Sequence, residues 1–131
     1  MNKKADFDWY FLRFRAIAMH EVGIMQNTLE IALQHAAQQG ASRIHQITLR
    51  VGDLSGVEPE ALRFAFDVIT QGTLAEQATL TIDRVPARCY CPQCHQEFQP
   101  TDWIYACPHC EQVSADLRQG RELELASMEI S

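Results

Sequence analysis

Four of the five cysteines stand in two Cys-x-x-Cys pairs, Cys91-Pro92-Gln93-Cys94 and Cys107-Pro108-His109-Cys110, with twelve residues between them. Each turn aims two sulfurs at one point. Two such turns at the tips of short hairpins complete a thiolate tetrahedron, with metal–sulfur distances of about 2.3 Å for zinc. Soft thiolates in that geometry select zinc or iron. One structural zinc per chain is the expectation, and a rubredoxin-like iron centre is the competing reading. Four protein ligands leave no open position for water or substrate, which argues against a zinc hydrolase. The physical task of such a site is to fold a segment too small to bury its own core, because metal affinity becomes folding free energy.

The remaining thiol, Cys89, lies two residues before Cys91 and shares its face on an extended strand. It reads as an ordinary core or surface residue, with metal exchange as the sharper alternative. His95 and His109 adjoin the cysteines and read as solvated turn residues; replacing a ligand or responding to pH is their alternative role. The Cys-x-x-Cys spacing and the odd count point away from a disulfide framework. Thiolates available to metal suggest a reducing compartment, the cytoplasm.

These turns need elements to position them. From Ile24 to Gln39 the apolar Met25, Leu29, Ala32, Leu33 and Ala36 recur at helical spacing, and Gly40 supplies a stop. Ile47, Leu49 and Val51 alternate with Thr48 and Arg50, a strand buried on one face. Gly52-Asp53-Leu54-Ser55-Gly56 is a turn. Glu58-Pro59-Glu60 opens a second helix whose core face is Leu62, Ala65, Phe66 and Ile69, ended by Gly72. Leu80 and Ile82 mark a strand running toward Val85. Leu123, Leu125, Met128 and Ile130 mark a last one, with an irregularity at Ala126-Ser127. The order helix, strand, helix, strand, cysteine segment, strand predicts an α/β (α+β) fold. It has a small three-stranded sheet with two helices, and residues 87–120 are a zinc-ribbon module inserted between two strands of that sheet.

The formal net charge of −6 counts against nucleic acid, whose phosphates are neutralised by Lys and Arg. No stretch reaches the roughly 20 apolar residues a membrane span needs. Residues 1–18, MNKKADFDWYFLRFRAIA, fit poorly with the rest of the chain. Arg13 and Arg15 break the apolar centre that a secretory signal would need.

The segment Met19-His20-Glu21-Val22-Gly23-Ile24-Met25, the turn Val51-Gly52-Asp53-Leu54-Ser55-Gly56-Val57-Glu58 and the two cysteine pairs together resemble the HypA/HybF family. The resemblance extends to the closing Gly120-Arg121-Glu122-Leu123-Glu124-Leu125. It implies a nickel metallochaperone for maturation of NiFe hydrogenases, with HypB GTPase and the hydrogenase large-subunit precursor as partners. It also implies nickel binding at Met19, His20 and Glu21, with Glu58 a weaker carry-over. Members begin at Met-His-Glu, so Met19 is read as the natural start and residues 1–18 as an added extension. The nickel-binding domain is then 19–86 plus 121–131.

Independently of the family, a free amine, the next amide nitrogen and a second-position imidazole close fused chelate rings, and nitrogen donors in a square plane suit Ni(II). A peptide bond at Met19 removes the anchoring amine. His95 directly follows Cys94 and His109 lies inside the second pair, a departure from members with histidines set elsewhere around their cysteines. That departure weakens a histidine-driven switch at the zinc site. No nucleophile–base constellation is legible, so an enzyme is not expected. The rival is a zinc-ribbon interaction or nucleic-acid-machinery module that binds no nickel. As for assembly, the chain is read as a monomer, or as a homodimer that swaps its final strand or ribbon.

Overall fold

The computed structural model describes residues 3–6, 21–101 and 105–131. The apolar spacing of the first helical segment produces α1, Glu21–Gln38, which buries Ile24, Met25, Thr28, Leu29, Ala32 and Ala36. It starts one turn earlier than the apolar period suggested. The buried Thr28 hydroxyl donates to the Ile24 carbonyl at 2.9 Å, so it adds no unsatisfied group. At the other end Gly40 takes a φ of +66°. Ala41 N–H donates to Ala36 O at 2.9 Å and Gly40 N–H to Ala37 O at 3.0 Å, the paired bonds of a Schellman cap.

Strand β2, Ile44–Gly52, leads through the glycine turn into α2, Pro59–Ile69, and then into β3, Thr79–Val85. Glu58 caps α2: its backbone is extended and its carboxylate accepts from Glu60 N–H, with Pro59 filling a position that needs no donor. Leu62, Ala65 and Phe66 face the core, and Ile69 packs partly buried beside them. Because α2 crosses over, β2 and β3 run parallel, Ile47 opposite Leu80 and Leu49 opposite Ile82.

The last strand, β7 (Leu123–Ile130), returns antiparallel along the other side of β2. Two register shifts explain its burial pattern. One lies between Ile44 and Gln46 on β2; the other pairs Thr48 with Ser127 but Leu49 with Leu125, leaving Ala126 over. Each extra residue turns the next apolar side chain back to the core face, so Ile44 with Ile47, and Leu125 with Met128, all stay at 1% exposure or less. The irregularity expected at Ala126-Ser127 is this second bulge. Both helices pack on one face of the sheet, with Leu29, Phe66, Leu80 and Ile130 in the same cluster.

The three expected strands are joined by a fourth. β1, Lys3–Asp6, pairs antiparallel with the outer edge of β7, giving the order β1-β7-β2-β3. Nothing in Lys-Lys-Ala-Asp alternates, so its pairing rests on the free backbone of β7 rather than on a side-chain pattern. A second, three-stranded sheet carries the cysteines. It comprises β4 (Arg88–Cys91), β5 (Gln96–Phe98) and β6 (Leu117–Gln119), in the order β5-β4-β6.

Candidate metal centre

The β4–β5 hairpin presents Cys91 and Cys94, and the turn between the bridged Ala106 and Val113 presents Cys107 and Cys110. The two turns are built alike. His95 N–H donates to Cys91 O at 2.8 Å, and Glu111 N–H to Cys107 O at 2.8 Å. His95 and Glu111 take left-handed backbone, with φ of 54° and 63°. This gives His95 a structural reading: its backbone closes the first turn, as Glu111 closes the second, and its Nδ1 lies 3.3 Å from the Tyr90 hydroxyl. His109 is an exposed residue inside the second turn.

The four sulfurs lie within 4.8 Å of one another. Cys91 Sγ is 3.6 Å from Cys110 Sγ, and Cys107 Sγ is 3.9 Å from Cys94 Sγ. A tetrahedron with metal–sulfur bonds of about 2.3 Å has edges of about 3.8 Å, so the observed spacings bracket the fit to zinc. The donor set is all thiolate and admits iron as well.

The thiols also share protons unevenly. Backbone N–H donors, chiefly Cys110's, hold the Cys107 thiol down at about 6. Thiol–thiol bonding, first to Cys110, then burial, push Cys94 up to about 12. A divalent ion replaces that sharing with four thiolates.

Cys89 is not one of the four. It is fully buried on the same face of β4 as Cys91 and packs with Phe98 and Cys107. Burial, and then the Asp116 carboxylate, raise its pKa, which suits a core thiol rather than a ligand.

Of the residues in the Met-His-Glu segment, Met19 and His20 lie outside the described residues, while Glu21 and Glu58 are brought together. Glu21 opens α1, Glu58 caps α2, and Glu58 N–H donates to Glu21 Oε1 at 3.2 Å. Two carboxylates therefore sit at two adjacent helix N-termini, where the macrodipoles favour negative charge.

Sequence reasoning did not foresee how the glycine turn clasps the ribbon's neck. Gly52 N–H donates to Glu122 O at 2.7 Å, Asp53 N–H to Val85 O at 2.9 Å and Leu54 N–H to Gly120 O at 2.7 Å. A Cβ on Gly52 would meet Gly120 O at 2.2 Å. The one available signal was the pair of glycines itself, Gly52 and Gly120, whose need for close backbone approach cannot be seen until they meet.

A family model described as "Hydrogenase/urease nickel incorporation, metallochaperone, hypA" matches residues 19–130. A hydrogenase maturation factor HypA of Picosynechococcus sp. is 50% identical over 112 residues, covering 86% of this chain and 99% of that protein. One from Acidithiobacillus ferrooxidans is 39% identical over 112 residues, with the same coverage. The solution structure of the Ni metallochaperone HypA from Helicobacter pylori superposes with a TM-score of 0.60 at 24% identity, covering 86% of this chain and 97% of that one. A second HypA solution structure gives 0.64 at 23%, covering 87% and 98%.

Proposed function

The chain belongs to the HypA family of metallochaperones for hydrogenase/urease nickel incorporation, and from that premise we propose that it carries Ni(II) as cargo to the maturing NiFe hydrogenase. The family is described by metal carriage rather than by catalysis. We assign the cargo to residues 19–86 with 121–131, and structural zinc to the ribbon, 87–120. Cys91, Cys94, Cys107 and Cys110 would hold the zinc, which supplies folding free energy and no reaction step.

The observation that carries the nickel reading is the meeting of Glu21 and Glu58 through a 3.2 Å hydrogen bond. It puts two carboxylates beside the segment that contributes His20 and Met19. The Met19 amine, the following amide nitrogen and the His20 imidazole give Ni(II) a nitrogen-rich plane, and Glu21 and Glu58 offer oxygen donors at its side. A site with few ligands, one of them the exposed Glu58, releases its metal, as delivery requires. HypB GTPase and the hydrogenase large-subunit precursor are the partners we propose, in the cytoplasm. We propose that the chain acts as a monomer or as a domain-swapped homodimer that exchanges its final strand or the ribbon. The formal charge of −6 opposes a nucleic-acid role, and no described helix is long and apolar enough to cross a membrane.

Nickel affinity measured on chains starting at Met1 and at Met19, each with and without His20→Ala, tests this reading. Specific, reversible nickel binding is expected only with both the Met19 amine and His20 present, and weaker binding in the other three. Equal affinity in all four would leave a zinc-ribbon interaction protein without a nickel role.

A further inference from the structure

Phe64 is 70% exposed and Val68 52% exposed, and neither the core nor the metal centre accounts for them. Both lie on α2, four residues apart, so they share one stripe. That stripe looks away from the side that buries Leu62, Ala65 and Phe66. Single exposed apolar residues are ordinary, but a phenylalanine and a valine one turn apart on a helix's outer face form a continuous patch. Acidic groups border it. Glu60 stands one turn before Phe64 and Asp67 one turn after, both exposed. Arg63, the one base of α2, is already engaged: its Nε lies 3.6 Å from Glu60 Oε1, and its Nη1 donates to the Leu80 carbonyl at 3.1 Å. Among the described residues Asp67 has no ion-pair partner.

We propose that this face of α2 is the docking surface for the protein that receives the cargo, and that it fits an apolar hollow rimmed by Lys or Arg. The inference rests on the nickel-delivery reading and adds where the receiver sits. Glu58 caps α2, and Phe64 follows it by six residues, about 9 Å along a helix that rises 1.5 Å per residue. A partner seated on Phe64 and Val68 therefore lays its surface beside the Glu21–Glu58 pair, where a transfer between two ligand sets has to take place.

Charge decides among the occupants. A second copy related by a two-fold axis sets this face against itself, bringing two acidic borders together. An anionic lipid surface and a nucleic acid meet the same repulsion. A protein surface with a basic rim gains from Glu60 and Asp67 at once. The two contributions are separable, because rim charges speed association and are screened by salt, whereas a buried aromatic anchor slows dissociation.

The test titrates purified hydrogenase large-subunit precursor, the proposed receiver, into the full chain and into its Phe64→Ala/Val68→Ala and Asp67→Lys variants. All three positions are exposed, so the variants should keep the zinc content, nickel affinity and unfolding midpoint of the unaltered chain. Affinity for the precursor should fall at least about tenfold in the double variant, at low and high salt alike. Asp67→Lys should weaken binding at about 10 mM salt and much less at about 1 M, where the Debye length shrinks from about 30 Å to about 3 Å. Variants that bind the precursor as the unaltered chain does overturn the docking surface and leave nickel delivery standing. A double variant that loses nickel together with the precursor also overturns it, because the patch then supports the metal site rather than the partner. An unaltered chain that takes up nickel but does not bind the precursor removes the delivery reading, and the docking surface falls with it.

Discussion

The two halves of this molecule owe their order to different physics. In the α/β half a continuous cluster runs from Ile24 through Leu49, Leu62 and Phe66 to Ile130. Among the described residues of the ribbon the buried cluster is Cys89, Cys91, Phe98 and Cys107, and Phe98 is the one large hydrocarbon in it. Burying such a side chain contributes about 1.5–3 kcal/mol, whereas a structural zinc contributes about 10–16 kcal/mol at neutral pH. Burial holds the first half together, and on the proposed zinc reading a metal supplies most of the order of the second. The glycine turn 52–56 meets the ribbon's neck through the bond from Leu54 N–H to Gly120 O, a short junction that leaves each half to fold by its own means.

The largest effect separating the halves should follow from Cys107→Ser. Stoichiometric zinc is lost, and amides of 88–119 lose hydrogen-exchange protection while those of β2 and β7 keep theirs. Loss of protection across both halves would mean that they do not order independently. The thiol protons draw the contrast more finely. A metal-free Cys94 held up to about 12 is protonated at pH 7, whereas Cys107, at about 6, is already largely ionised. Zinc loading at pH 7 should therefore release protons, at least one of them from Cys94. Zinc affinity should fall as pH drops, because protons compete for every thiolate. Calorimetry in buffers of different ionisation enthalpy reads that release.

Leu125→Ala probes the other half. Leu125 is 1% exposed, and its truncation should cost about 2–5 kcal/mol in denaturant unfolding of the α/β half, with zinc content unchanged. Gly52→Ala acts on the neck. Its Cβ would fall 2.2 Å from Gly120 O, and relieving that clash should cost about 1–3 kcal/mol and loosen the amides of Leu54 and Glu122's neighbours first. Gly40→Ala is the smallest change. It has open space around it but a φ of +66°, so it should cost about 1–2 kcal/mol through backbone strain alone.

What could be read before folding was whatever is local. The cysteine turns were legible because a Cys-x-x-Cys spacing fixes where two sulfurs point, and the remaining pair repeats the same turn. The helices were legible from Leu29, Ala32 and Ala36, and from Leu62, Ala65 and Phe66, because the period alone identifies the buried face. Gly40 was legible as a stop for the same reason. The features that escaped all depend on distant partners. Lys3–Asp6 becomes a strand only because β7 offers it an edge. Glu21 finds Glu58 only because two helix N-termini pack side by side. Gly52 needs its missing side chain only where Gly120 crosses it. His95 read as a solvated turn residue and is one; what escaped is that its left-handed backbone closes the cysteine turn, a demand visible only in the comparison with Glu111.

Two metals in separate regions, zinc in the ribbon and nickel at the start of α1, are the core of this proposal. The decisive experiment titrates Ni(II) into the zinc-loaded chain that begins at Met19, while a chromophoric chelator follows released zinc. One nickel should bind per chain with zinc retained, and His20→Ala should abolish nickel uptake. Release of one zinc for each nickel bound would contradict it, because the four thiols would then be the nickel site.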